Sequence, residues 1–231
     1  MIDPKIETLK RSWLFLGLSE EKLAGLSSCS FFRKIGKGQL LFNEGDQAEY
    51  LYIVSSGIVK QFKISPSGKI FTIVMNCSGD TLNMFALFGG KHYVSVEAIT
   101  EAKVLCIPRE HFLSFIERNP FLMARTIRAM SKLIDNAYKR LCDCAYERVY
   151  QRVLNIIFML YRKFGETLPF SKEEIATMAG TTTETVVRIL KSLETKHVIK
   201  SRRGGVTVVE RGELHNVSED SYVITLYSPE W

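Results

Sequence analysis

Residues 170–209 constrain the fold more than any other part of this 231-residue chain. Ser171 and Glu174 have the spacing of a capping box, in which each side chain accepts a hydrogen bond from a backbone N–H at the start of a helix. Gly180 then ends the helix, because glycine adopts the left-handed conformation of a helix terminus at little cost. The pattern predicts a short helix that leads into a glycine turn.

A second short helix follows the glycine. Thr181 and Glu184 repeat the capping-box spacing. The apolar face of this helix is formed by Val186, Ile189, Leu190 and Leu193. The residues left off that face, near the helix N-terminus, are Thr183, Glu184, Val187 and Arg188. A recognition helix carries at this place the side chains that reach base edges in a major groove, so the sequence predicts a helix-turn-helix module that binds double-stranded DNA.

A basic segment begins in the second helix and continues into a hairpin. The whole chain has a net charge of only +6, but six basic residues and one acidic residue lie between Arg188 and Arg203. Residues 198–200 and 206–209 have strand character, and the residues between them predict a hairpin tip. A basic hairpin beside a recognition helix suits a wing that contacts phosphates. The alternative is a basic helix that only faces solvent.

Composition and motifs exclude several classes of protein. No apolar run approaches the roughly 18 residues of a membrane span, and the N-terminus lacks the apolar core of a signal peptide. Five cysteines without framework-like spacing indicate reduced thiols. The chain has no GxxxxGK loop, no HExxH motif and no nucleophile elbow, and its four histidines lie in unlike segments. We therefore expect a two-domain cytoplasmic protein that is not an enzyme, has no metal site and does not contact a membrane.

The first half of the chain has the pattern of β structure. Glycines separate short apolar or alternating runs at 40–42, 51–54, 58–63 and 71–75. Alternation resumes over 94–107, and Pro108 closes the set of strands. Short strands with glycine turns predict a β-barrel or a sandwich-like roll. From Arg109 onward the pattern becomes helical.

The helix after Pro120 carries a heptad pattern. Its apolar positions, in alternating steps of three and four, are Ile127, Met130, Ile134, Ala137, Leu141 and Cys144. This spacing lets two helices pack side by side, so the seam predicts a homodimer. Pairing would also double the short DNA site that one helix-turn-helix reads. The alternative is an ordinary amphipathic helix that covers its own domain.

Several motifs of the chain together resemble a known family. In chain order they are Gly36-x-Gly38, Leu41-Phe42-x-Glu44-Gly45-Asp46, Leu51-Tyr52-Ile53-Val54, Ser56-Gly57-x-Val59-Lys60, Gly79-Asp80 and Glu184-Thr185-Val186-x-Arg188-Ile189-Leu190-Lys191. The series resembles the superfamily of the cyclic-AMP receptor and the fumarate-nitrate regulator, which are bacterial transcription factors. The resemblance implies an α+β fold, with a double-stranded β-roll like a cyclic-nucleotide-binding domain at 1–118, a long dimerisation helix at 119–148 and a winged helix-turn-helix at 149–231. It also implies effector-controlled binding to a palindromic promoter site and contact with RNA polymerase.

The base-reading residues of the family match Glu184 and Arg188, which implies a half-site with a TGA-like core. Arginine can donate two hydrogen bonds to guanine, and glutamate can accept one from cytosine. Val187 is placed to touch a thymine methyl group, whereas Thr181 and Thr182 cap the helix or contact phosphate. The predicted DNA-binding residues are Thr181, Thr182, Thr183, Glu184, Val187, Arg188, Lys191, Arg202 and Arg203.

The predicted effector site departs from the cyclic-AMP pattern of the family. A glycine-glutamate pair that holds ribose and an arginine-serine pair that holds phosphate are replaced by Asn83-Met84 and His92-Tyr93. The phosphate would lose its cationic partner and the sugar its carboxylate, which argues against cyclic AMP. On the long helix, Ala137-Tyr138 replaces the threonine-serine pair that contacts adenine. We expect instead a small organic effector in an apolar pocket formed by Met84, Phe85, Phe88, His92, Tyr93, Ala137 and Tyr138.

The metal-dependent sensors of the family match this chain less well. Only Cys29 precedes the roll, so the cysteine cluster of the iron-sulfur members is absent. Asn83 and Phe85 replace the cysteine and histidine ligands of the heme-based carbon monoxide sensor. Heme held through His92, Met84 or His111 stays open as an alternative. The chain would then be a gas or redox sensor of the same superfamily, and a further alternative is a sensor protein whose DNA binding is incidental.

Overall fold

The computed structural model describes residues 3–202 and 204–210. It divides into two compact units, with the boundary between Ser131 and Lys132 inside one long helix. The first unit is rich in β-strands, and the second consists of helices and a small sheet. These elements confirm the predicted α+β class with a roll, a long helix and a winged helix-turn-helix. No described helix is long and apolar enough to cross a membrane.

Two four-stranded antiparallel sheets form the centre of the first unit. The strands are Phe31–Ile35 (β1), Leu40–Phe42 (β2), Tyr50–Ser56 (β3), Val59–Ile64 (β4), Ile70–Asn76 (β5), Thr81–Leu82 (β6), Ser95–Ala98 (β7) and Ala102–Pro108 (β8). One sheet has the order β1-β8-β3-β6 and the other β2-β7-β4-β5. The chain passes repeatedly between the two sheets, as the predicted roll requires.

Helices cover the outer face of the sheet that contains β3. They are Pro4–Arg11 (α1), a 3₁₀ turn at Trp13–Phe15, Glu20–Cys29 (α2), Ala86–Gly89 (α3), Arg109–Glu117 (α4) and the first part of Pro120–Tyr146 (α5). Because side chains alternate along a strand, Leu51 and Ile53 pack under these helices, whereas Tyr52 and Val54 pack against the opposite sheet. Strand β3 is therefore covered on both faces at 51–54.

The second unit contains the rest of α5 and the helix-turn-helix. Its further elements are Val149–Phe164 (α6), Thr167–Leu168 (β9), Lys172–Ala179 (α7), Thr183–Thr195 (α8), Ile199–Arg202 (β10) and Gly205–Val208 (β11). The three strands form an antiparallel sheet in the order β10-β11-β9. Arg203 and the tail at 213–231 lie outside the described residues.

The two caps of the helix-turn-helix differ in how well the sequence predicted them. Both bonds of the first capping box are present, from the Glu174 N–H to Ser171 Oγ at 3.1 Å and from the Ser171 N–H to Glu174 Oε2 at 2.5 Å. The prediction that Thr181 caps the second helix is wrong, because α8 begins at Thr183 and the residue before it, Thr182, accepts the hydrogen bond from the Thr185 N–H. The prediction that Thr182 caps the helix is confirmed.

Candidate nucleic-acid interface and effector site

Helix α8 presents one face to its own unit and the other to solvent. Val186, Ile189, Leu190 and Leu193 are buried, as the apolar pattern predicted. On the opposite face, exposed side chains follow the helical spacing i, i+3, i+4, i+7 and are Glu184, Val187, Arg188 and Lys191. The structure thus brings four of the predicted DNA-binding residues into one exposed row, which we call the reading stripe.

Residues at the start of α8 cap the helix and favour the ionised form of Glu184. Thr182 Oγ1 accepts a hydrogen bond from the Thr185 N–H at 3.3 Å and caps the helix. The pKa of Glu184 is lowered by its own backbone N–H and by the Thr182 hydroxyl. Glu184 is therefore a carboxylate at neutral pH, the form that accepts a hydrogen bond from a cytosine amine. Thr181 and Thr183 are half-buried beside it.

The hairpin after α8 has the form of a wing. Strands β10 and β11 pair from Ile199 with Val208 to Arg202 with Gly205. Glu194, the one acidic residue in the basic segment, accepts a hydrogen bond from the Ser201 N–H at 2.9 Å and holds this hairpin against the end of α8. Arg202 is exposed near the tip. The wing therefore adds cationic surface on the C-terminal side of the reading stripe.

Helix α5 carries an exposed apolar stripe. Ile127, Met130, Ile134 and Leu141 of the predicted seam are between 44% and 65% exposed in the single chain. Ala137 and Cys144 of the same seam are exposed as well. The exposed positions agree with the predicted seam, and its role in pairing two chains stays a prediction.

The predicted effector residues of the first unit occupy three different environments. Met84 and Phe85 belong to the apolar cluster under the helices. His92 instead stacks on Phe42, which belongs to the cluster between the sheets. Phe88 and Tyr93 are about half exposed, at 46% and 50%. Ala137 and Tyr138 are exposed on the part of α5 that belongs to the second unit, so a pocket formed by all seven residues stays a prediction.

Among the predicted effector residues, His92 is the one that is both polar and buried. It is 3% exposed, and its ring lies parallel to that of Phe42 with the centroids 3.6 Å apart. Asn83 Nδ2 lies 3.3 Å from His92 Nδ1, which makes Nδ1 the acceptor, whereas the buried Nε2 has no partner within the described residues. Burial lowers the pKa of His92 to about 4. At neutral pH the ring is uncharged and offers no cation to a phosphate.

The other candidate heme ligands lie apart from His92. Met84 is buried in the cluster under the helices, and His111 is exposed on α4. His111 lines a surface cavity of about 400 Å³ together with Glu110 and Arg118. The described residues contain no cluster of three or more metal-ligating side chains. The five cysteines are not joined in disulfides in the structure, and burial raises the pKa of the Cys106 thiol to about 12.

Two arginines that the sequence reading missed bind the turn of the helix-turn-helix. Arg140 Nη2 donates to the Met178 carbonyl at 2.6 Å, and Arg152 Nε donates to the Ala179 carbonyl at 3.0 Å. No local motif marks either residue, because each bond joins residues at least 27 positions apart. Arg152 reaches the turn because α6 packs on α7, and Arg140 reaches it from α5 through its long side chain.

Each of the two units matches a known protein family. A family described as "Cyclic nucleotide-binding domain" matches residues 32–119, and one described as "Crp-like helix-turn-helix domain" matches residues 148–217. The Cyclic AMP receptor protein of Thermus thermophilus is 28% identical over 213 residues, which span 91% of this chain and 98% of the relative. The Fumarate and nitrate reduction regulatory protein of Escherichia coli is 25% identical over 206 residues, spanning 85% of this chain and 82% of the relative.

A solved structure shares the fold. FixK2 from Bradyrhizobium japonicum superposes with a TM-score of 0.73 at 22% identity, over 84% of this chain and 99% of that protein. The matches confirm the family resemblance that the motifs carried, and with it the fold class. The relatives are regulators and not enzymes, which confirms that prediction also.

Proposed function

Because this chain belongs to the superfamily of the cyclic-AMP receptor and the fumarate-nitrate regulator, and is thus a helix-turn-helix transcription regulator, we propose that it binds a palindromic promoter site as an effector-controlled homodimer. The reading stripe of α8 carries this proposal. It combines an ionised carboxylate, a guanidinium and an apolar side chain on one exposed helix face. In this proposal residues 1–118 sense the effector, 119–148 dimerise and 149–231 bind DNA.

Each group on the reading stripe has a distinct role in the proposed contact. Arg188 donates two hydrogen bonds to guanine O6 and N7, and Glu184 accepts one from the amine of a cytosine. Val187 is exposed on the same face of the helix and can contact a thymine methyl group. Thr181, Thr182, Thr183 and the basic residues Lys191, Arg202 and Arg203 contact the phosphates or set the helix in the groove. The half-site that suits these groups has a TGA-like core.

An affinity measurement on matched duplexes tests base reading. The change is Arg188→Ala, and the readout is fluorescence anisotropy with an inverted pair of TGA-containing half-sites and with a scrambled duplex. Loss of a bidentate base contact should weaken specific binding by about 1–3 kcal/mol and remove the preference at the contacted guanine.

Lys191→Ala is the matched control on the same helix face. It should weaken binding to both duplexes alike and reduce the slope of log affinity against log salt by about 1, since it removes a phosphate contact only. If Arg188→Ala leaves both the affinity and the base preference unchanged, the proposed mode of reading is wrong.

The homodimer rests on the apolar stripe of α5. Four large apolar side chains on this face are about half exposed or more. Their burial against a second copy of the chain would stabilise the dimer. Two-fold pairing would set two reading stripes on half-sites about one turn of DNA apart, roughly 34 Å. Contact with RNA polymerase at a promoter completes the proposed role.

The proposed effector is a small organic molecule and not cyclic AMP. His92, which replaces the arginine of the cyclic-AMP pattern, is neutral at pH 7, and Met84, which replaces the glutamate, packs in an apolar cluster. A cyclic phosphate would be buried there without a counter-charge, which is costly. Thermal unfolding with millimolar cyclic AMP should give an unchanged Tm; an increase of several degrees would contradict the proposal. A metabolite that raises Tm and strengthens DNA binding would identify the effector.

A heme-based sensor of the same superfamily is the second candidate. The observation that favours it is the buried Nε2 of His92, which has no hydrogen-bond partner within the described residues. Nε2 can bind heme iron when the ring proton lies on Nδ1 and the Asn83 amide is turned so that its oxygen accepts from that N–H. The test is a visible absorption spectrum of protein purified without oxygen, before and after addition of heme. A Soret band with stoichiometric uptake that is absent in His92→Gln would establish this alternative, whereas a featureless spectrum would eliminate it.

A further inference from the structure

The turn between α7 and α8 is held by side chains from two other helices. Three successive carbonyls, those of Met178, Ala179 and Gly180, accept hydrogen bonds from guanidinium groups. Arg140 on α5 binds the first at 2.6 Å, and Arg152 on α6 binds the second at 3.0 Å and the third at 3.4 Å. We call this arrangement the turn clamp.

The turn clamp satisfies a need that every helix end has. The last carbonyls of a helix have no N–H partner within the helix, and they carry the negative end of its dipole. Guanidinium groups supply both the missing donors and the opposite charge. Arg152 also donates from Nη1 to the Glu147 carbonyl at 3.1 Å, so one side chain joins the end of α7 to the chain just after α5.

A second set of bonds fixes the helices that carry the clamp. Asn155 on α6 donates to Asp143 Oδ2 on α5 at 3.1 Å and accepts from Gln151 at 3.0 Å. Asp143 lies one turn after Arg140 on α5, and its charge acts on both clamp arginines. The ends of α5 and α7 and the start of α6 therefore form one hydrogen-bonded unit.

The recognition helix begins immediately after the turn clamp. Gly180, whose carbonyl is bound, has the left-handed backbone of a helix terminus, and Thr182 two residues later caps α8. Few torsion angles separate the clamped carbonyls from the reading stripe, so the direction of α8 depends on where the clamp holds the turn. The arginine that holds it from α5 is Arg140.

We infer that Arg140 is a positioning residue for DNA recognition, which links the long helix to the turn that aims α8; this rests on the proposed function. Arg140 itself does not face DNA in this scheme. It acts through the Met178 carbonyl, and a change in the position of α5 would reach the reading stripe through that bond.

The test combines two readouts on Arg140→Met, which keeps an unbranched apolar stem but removes the guanidinium and its donors. Hydrogen exchange followed by mass spectrometry reports the amides of residues 178–186. Anisotropy reports the ratio of affinities for the palindromic and scrambled duplexes. We expect at least tenfold faster exchange across the turn and at least a tenfold fall in that ratio, with scrambled binding unchanged.

Arg128→Met is the matched control, because it removes the same charge from an exposed position of the same helix. It should change neither readout, and a thermal scan of each variant confirms that the chain is folded. Unchanged exchange in Arg140→Met, or faster exchange with an unchanged affinity ratio, overturns the inference. If the natural chain itself does not distinguish the two duplexes, the proposed function fails, and exchange alone still decides whether Arg140 holds the turn.

Discussion

His92 shows how the surroundings of a single residue set its charge. Its pKa of about 4 in the folded chain lies below the value of about 6.5 expected for an unfolded chain. The folded state therefore binds fewer protons between these two values. The neutral ring contributes stability that is fully present above pH 6.5 and is lost as the pH falls toward 4.

The first prediction concerns this pH dependence. The free energy of unfolding, measured by urea denaturation, should fall between pH 6.5 and 4 by about 1–3 kcal/mol from His92 alone. His92→Gln should flatten that part of the profile, because glutamine does not titrate. An unchanged slope between pH 6.5 and 4 in His92→Gln would refute the assignment.

The backbone of His197 gives a second prediction about stability. This residue has a left-handed backbone, with φ of 61°, and directly follows Lys196, the C-cap of α8. Left-handed geometry strains a residue with a Cβ, and glycine relieves that strain. His197→Gly should raise the free energy of unfolding by about 0.5 kcal/mol. His111→Gly, inside α4, should instead lower it by about 1 kcal/mol, and loss of stability in both variants would argue against strain at 197.

The N-cap of α8 gives a prediction about stability. Thr182→Ala removes the hydroxyl that binds the Thr185 N–H and should lower the free energy of unfolding by about 1 kcal/mol. Thr181→Ala is the adjacent control, and we expect a change within about 0.5 kcal/mol because the residue is not a cap. Chemical denaturation of both variants measures the difference. A larger loss at 181 than at 182 would restore the cap that the spacing first suggested.

Local chemistry decided which elements could be predicted from the sequence. Helix α7 was predictable because its capping box and its glycine lie within ten residues of each other. Helices α1 and α2 were missed, although Asp3 and Ser19 cap them and leave the signal of an N-cap residue before each helix. The strands of the roll were predictable because apolar residues alternate with a period of two, and this pattern identifies a strand without knowledge of the strand it pairs with.

The candidate effector site was less predictable for a physical reason. Met84 and His92, expected in one pocket, lie in the turns before and after α3 and outside the strands, where no periodic pattern shows which layer a side chain joins. They belong to different layers. Arg140 and Arg152 were invisible for a related reason, because their acceptors are backbone carbonyls, which every residue possesses.

Helix α5 contributes to both units through the same chemistry. Arg125 Nη1 donates to the carbonyls of Trp13, Leu14 and Leu16 in the first unit, at 2.9 to 3.1 Å. Arg140, fifteen residues later on the same helix, binds Met178 in the second unit. A single continuous helix thus supplies a guanidinium to a chain turn in each unit.

The same helix carries the prediction about assembly. Leu141→Lys puts a charge into the proposed seam and should convert a dimer to monomers, because burying an unpaired charge is strongly unfavourable. Sedimentation velocity measures the mass, and anisotropy should show weaker binding to the palindromic duplex. Lys132→Glu, on the side of the helix away from the seam, should remain dimeric. A dimeric Leu141→Lys, or a natural chain that is monomeric at micromolar concentration, would contradict the proposed interface.

The double cover over residues 51–54 has a consequence for how this protein tolerates mutation. Each of these four side chains fits a packed layer, so none is free to vary as a surface residue does. In a library of all single substitutions selected for folded protein, this segment should accept almost only apolar residues of similar volume. The turn from Ile64 to Ile70, whose ends are exposed, should accept most replacements. During evolution, residues 51–54 should therefore change little, whereas the hairpin at 64–70 in the same roll should change often.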